Sequence, residues 1–96
     1  MDKRQELMKK IEVLLQEVDR AKLQVSEEKV SYLERYQKWM ESVLQKLQES
    51  RLAESKGRVI GCMRGISEYD NLASIKPLYD AAVAVDFFYS DECKEW

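Results

Sequence analysis

Residues 7–47 read LMKKIEVLLQEVDRAKLQVSEEKVSYLERYQKWMESVLQKL, and neither glycine nor proline occurs in them or anywhere before Gly57. Leucine, glutamate, lysine, glutamine, arginine and methionine dominate, so the local breakers are missing and the intrinsic propensities favour helix. Apolar residues recur at Leu7, Ile11, Leu14, Val18, Ala21 and Val25, an alternating four-and-three spacing that draws one stripe along a helix. The same spacing returns at Leu33, Tyr36, Met40, Val43 and Leu47. The second stripe is displaced by one residue from the first, whose register would have put Glu28, Tyr32 and Arg35 on the seam.

Two molecules are compatible with that slip. In one, a first helix ends near residues 25–31 and Ser26 or Ser31 caps a second; Ser31 with Glu34 has capping-box spacing, and Val25 and Val30 flank Ser26 as a hydrophobic staple would. The result is a helical hairpin. In the other, a single amphipathic helix covers about residues 2–56, roughly 80 Å at the standard rise. The slip is then absorbed by a change of winding in a coiled-coil seam, and such a rod requires a partner to cover its stripe.

Beyond this stretch the three glycines stand at 57, 61 and 65, four apart, with Ala53 one turn earlier. On a Gly-rich helix, Ala53, Gly57, Gly61 and Gly65 would form a smooth ridge. Each interior glycine costs about 1 kcal/mol relative to alanine, which implies compensation by close packing, including packing against a second copy. Gly57 as the end of the preceding helix is the narrower alternative. Lys56, Arg58 and Arg64 surround the bare backbone as candidate ligands for phosphate or another anion.

Asp70-Asn71 reads as a turn, and Ser74 as the cap of a last helix over about 75–90 with Pro77 in its first turn. Ile75, Leu78, Tyr79, Ala82, Val83, Val85, Phe88 and Tyr89 cover much of that helix's girth, so it is buried on more than one side. Residues 91–96 are expected as a loosely held tail apart from Trp96. The fold class is therefore all-α, one domain over 1–96, forming an oligomeric helical bundle.

Tyr32, Tyr36 and Trp39 lie at helical spacing with Arg35, Lys38 and Lys46 nearby. Tyr36 projects into the apolar arc, and Tyr32 and Trp39 fall along its edge. Core-edge packing is the plain reading of these aromatics; an interface anchored by Tyr32, Arg35, Tyr36 and Trp39 is the functional one.

With 45% hydrophobic and 35% charged residues the chain is expected to fold and to be soluble. Its longest apolar run, Ala81–Val85, is far below the roughly 20 residues of a membrane span. The charged start, Met1-Asp2-Lys3-Arg4, lacks the apolar core of a signal peptide, so a cytoplasmic location is expected. Sixteen basic and eighteen acidic residues give a net charge of -2. Residues 51–66 carry four basic and one acidic, and residues 67–96 carry two basic and seven acidic.

Cys62 and Cys93 belong to no paired motif and have no histidine to help them bind zinc, so they read as two independent reduced thiols, with a disulfide or metal role as the alternative; nor is there a histidine to act as a base near neutral pH. The late acidic residues Glu68, Asp70, Asp80, Asp86, Asp91, Glu92 and Glu95 read as a solvated face. No catalytic residue, metal ligand or cofactor motif is assigned. The sequence points to a non-enzymatic, self-associating module that binds a partner protein. The alternatives are nucleic-acid or phosphate-ligand binding through segment 51–66, and a small helical enzyme working without histidine.

Overall fold

The phase slip at residues 23–26 is a turn. In the computed structural model, which describes residues 2–69 and 72–96, helix α1 spans Lys3–Lys22 and helix α2 spans Glu27–Gln48. Asp2 caps α1 by accepting the amide of Arg4 at 3.0 Å. At the other end, Leu23 and Gln24 donate to the carbonyls of Arg20 and Ala21. Ser26 takes the extended conformation of an N-cap with its carbonyl receiving the Val30 amide, so the break falls there and Ser31 lies inside α2. Across the hairpin the Lys22 ammonium donates to Gln37 at 2.8 Å, and the Gln37 amide donates to Asp19. The rod is excluded because the molecule measures 40 × 21 × 19 Å.

The expected helix to residue 56 stops at Gln48. Ser50, with φ 59°, occupies the left-handed position that glycine usually fills beyond a helix. The Arg51 amide then returns to the Lys46 carbonyl and the Ser50 amide to that of Leu47, the paired bonds of a Schellman ending. Residues 49–61 form a strap across α4 (Lys76–Glu92). In it Lys56 (φ 51°) and Gly57 (φ 85°) make a tight turn closed by Arg58 N to Ser55 O at 2.9 Å. The strap is tied down by Tyr89 Oη donating to the Ala53 carbonyl at 2.6 Å, Ser55 N to the Cys93 carbonyl at 2.8 Å and Ser90 Oγ to the Gly57 carbonyl at 2.9 Å.

The Gly-rich helix therefore shrinks to α3, the six residues Cys62–Ser67. A 3-10 turn, Leu72–Ser74, leads into α4, whose cap is Ile75, one residue after the serine expected in that role. The Asp70-Asn71 turn lies outside the described residues. Segment 91–96 is not a loose tail: α4 runs on to Glu92, Cys93 is buried, and Trp96 packs edge-on against Tyr89 beneath the Arg4 guanidinium.

Among the described residues, 73% are helical and none is in a strand. Helix α1 is central, packed on both α2 and α4, with α3 and the 3-10 turn against α4. Both stripes are buried in one core: Leu7, Ile11, Leu14, Val18 and Ala21 of α1 with Leu33, Tyr36, Met40, Val43 and Leu47 of α2. Leu72, Leu78, Ala82 and Val85 close it from the other side. Each large side chain so buried contributes about 1.5–3 kcal/mol, and the chain obtains that from its own segments. Among the described residues, no helix is long and apolar enough to cross a membrane.

Candidate functional site: a groove between α2 and α3

Tyr32, Arg35, Tyr36 and Trp39 stand at i, i+3, i+4 and i+7 of α2, a single stripe on the helix surface. Opposite them run Ile60, Gly61, Arg64, Gly65 and Glu68, and the two rows enclose a groove of about 560 Å³. Glycine opens it. A methyl group at Gly65 would meet the Tyr36 ring at 2.8 Å, and one at Gly61 would lie 3.8 Å from the Trp39 ring. These two glycines thus bring backbone onto aromatic faces of the same chain.

The two tyrosines also hold α3 through their hydroxyls. The Tyr36 hydroxyl donates to the Cys62 carbonyl at 2.9 Å, and the Tyr32 hydroxyl donates to the Gly65 carbonyl. Tyr32 also stacks on Tyr69, with centroids 4.4 Å apart, while Tyr36 meets Trp39 edge-on at 5.6 Å. Tyr36 is the buried floor, and Trp39, 38% exposed, is the rim. The Arg35 guanidinium lies 6.0 Å from the centre of the Tyr32 ring, and Arg64 pairs with Glu68 at 2.7 Å.

Burial, then the neighbouring Cys62 and Asp86, drives the Tyr36 phenol far above its ordinary range. Burial and Glu68 raise Tyr32 as well, against the opposing pull of Arg35. The Cys62 thiol is pushed far up by burial first and Asp86 second, and its sulfur faces Met40 Sδ at 3.5 Å. Both phenols are therefore held as hydrogen-bond donors and the thiol as a thiol. What the groove offers a ligand is aromatic surface and guanidinium groups.

Asp86, assigned from sequence to a solvated face, is instead 1% exposed. Its Oδ1 accepts the amides of Gly61 and Cys62, both at 3.0 Å, and its Oδ2 accepts that of Met63 at 2.9 Å. The bare backbone read as an anion cradle thus already holds an anion of its own. The sequence did carry a signal for this. Asp86 lies four residues after Ala82 and three before Tyr89, on the buried stripe of α4.

Seven candidates from three separate sequence readings meet in the groove: Tyr32, Arg35, Tyr36 and Trp39 with Gly61 and Gly65, and Arg64 from the anion set. The other four do not. Ala53 and Gly57 sit in the strap, where a methyl group on Gly57 would touch nothing within 4 Å, so the continuous ridge is broken by the end of α2. Lys56 and Arg58 project from the same strap, with Arg58 close enough to influence Tyr89. Glu68 was assigned from sequence to a solvated face, and Ile60 and Tyr69 were given no role at a site, because only the path of the strap brings these residues to α2. Among the described residues, no three of Cys, Asp and Glu lie together as a metal site. Comparison with protein-family models, curated proteins and solved structures gives no match.

A second groove, about 500 Å³, lies between α1 and α4 and is lined by Glu6, Lys9, Lys10, Val13, Ala81 and Ala84. Val13 is 49% exposed, and Phe87 of α4 is 53% exposed.

Proposed function

We propose that this chain is a non-enzymatic helical interaction module whose α2–α3 groove receives a segment of a partner protein. One observation carries the reading: two tyrosines, a tryptophan and two arginines converge on one open groove. Tyrosine, tryptophan and arginine are the residues that most often dominate binding energy at protein interfaces. The phenols and the buried thiol, all held protonated, supply neither base nor nucleophile at neutral pH.

Panning a random peptide library against the protein tests this. Selected peptides should lose binding to Trp39→Ala and keep it with Val13→Ser, which alters the other groove. A library yielding no binders, or binders indifferent to Trp39, would overturn the reading.

Self-association has its own support in the exposed Val13, which lines the α1–α4 groove, and in the exposed Phe87 of α4. The helical seams supply no motive for it, because the chain covers them itself. Phosphate or nucleic-acid binding through segment 51–66 draws less support, since Asp86 takes the three amides and Lys56 and Arg58 stand apart from Arg64.

A further inference from the structure

Resting on that reading, we propose that the segment received by the α2–α3 groove is acidic, with carboxylates beside an apolar or aromatic side chain. Arg35 carries the first part of the case. Its helical neighbours three and four residues away are Ser31, Tyr32, Lys38 and Trp39, none of them acidic. No ion pair to Arg35 is formed among the described residues, and its guanidinium rests on the edge of the groove near the Tyr32 ring.

Arg64, across the groove, is tied to Glu68 with both side chains largely exposed, at 83% and 59%. An exposed pair of that kind is worth about 0–1 kcal/mol, so a carboxylate from a partner can share or replace it. The groove rim thus presents two guanidiniums against one carboxylate on a protein whose net charge is -2. A guanidinium binds carboxylate through two parallel charge-assisted hydrogen bonds.

One helical turn from the two arginines, Trp39 on α2 and Gly61 at the start of α3 face each other and leave part of the indole exposed in the groove. From Tyr32 to Trp39 the groove extends roughly 10 Å along α2 at the helical rise, about three residues of extended chain. The carbonyls of Cys62 and Gly65 are already engaged by the tyrosine hydroxyls, so recognition runs through side chains. Nucleic acid fits less well, because a backbone of phosphates needs a longer basic track. The flanking groove residue is Glu68, and the other cations of the segment, Lys56 and Arg58, do not line the groove.

The test is fluorescence anisotropy with three labelled peptides that differ only in their core, Glu-Trp-Glu, Gln-Trp-Gln or Lys-Trp-Lys, using the intact protein. The Glu-Trp-Glu peptide should bind about tenfold or more tighter than the Gln-Trp-Gln peptide, the scale of one charge-assisted hydrogen bond. Arg35→Gln and Arg64→Gln, verified as folded by their melting curves, should each erode that preference, and Trp39→Ala should weaken all three peptides. Equal binding of the acidic and neutral peptides, with both lost in Trp39→Ala, would overturn the acidic preference and leave the groove reading standing. Binding indifferent to Trp39, or no binding by any peptide, would overturn both. Displacement of the acidic peptide by a single-stranded oligonucleotide of equal affinity would overturn the choice of an acidic peptide as occupant.

Discussion

The Asp86 carboxylate lies 3.0 Å from the backbone nitrogen of Cys62, which comes 24 residues earlier in the chain and in another helix. Helix α3 has only six residues and begins on Gly61, which has no side chain to cap it. A helix that short is not stable alone. Asp86 caps it from α4, supplying the acceptor that the local sequence lacks.

Removing that acceptor should therefore be costly. Asp86→Ala leaves the buried Cys62 amide and the part-buried amides of Gly61 and Met63 without their acceptor. A buried unsatisfied group costs about 1–3 kcal/mol, so a loss on the order of 2–3 kcal/mol is expected in urea unfolding, with Asp86→Asn intermediate because it keeps one acceptor oxygen. An Asp86→Ala protein as stable as the parent would show that the cap is dispensable.

Gly65→Ala sets two effects of opposite sign against each other. Alanine in a helix gains about 1 kcal/mol over glycine, whereas overpacking costs about 1–3 kcal/mol. The added methyl would stand 2.8 Å from a Tyr36 ring that its hydrogen bond to Cys62 holds in place, so net destabilisation is expected. Combining Gly65→Ala with Tyr36→Leu should cost less than the sum of the two single changes. Additive thermal-melt effects would mean that the two residues do not touch.

Alkaline pH should unfold the protein through Cys62 and Tyr36. Both have folded-state values raised by burial, so the native state keeps protons that the unfolded chain releases. Their stabilising contribution is complete below the unfolded values, about 8.5 for a thiol and 10 for a phenol. It falls as pH rises beyond them, by up to about 1.4 kcal/mol per pH unit for each group. Urea midpoints measured from neutral to alkaline pH should fall in two stages, with the earlier stage reduced in Cys62→Ala. A midpoint independent of pH would contradict these environments.

Self-association, if it uses the α1–α4 face, should depend on Val13 and Phe87. Sedimentation equilibrium at micromolar concentration is expected to show a dimer or larger species that Val13→Asp and Phe87→Asp dissociate. A monomeric parent protein, or an oligomer untouched by both changes, would remove this face from consideration.

The stripes at Leu7–Ala21 and Leu33–Leu47, the one-residue slip between them and the apolar girth of the last helix were legible in the sequence. Helical periodicity and propensity are local properties, and a phase error in a stripe survives whatever the chain does next. The end of α2 was hidden because a serine, Ser50, occupies a left-handed position that usually announces itself as glycine. The even spacing of Gly57, Gly61 and Gly65 suggested one helical ridge, yet their φ angles, 85° and 105° at the first two, belong to turns.

Only the tertiary structure brought α3 beside α2, set its first amides against Asp86 and gathered the aromatic stripe, two glycines and Arg64 into one groove. Those relationships join residues 23 to 33 positions apart. They depend on where the strap crosses α4 and on a carboxylate finding amides in another helix. A pattern confined to a few turns of chain carries no record of either, because the free energy that fixes them comes from contacts between segments.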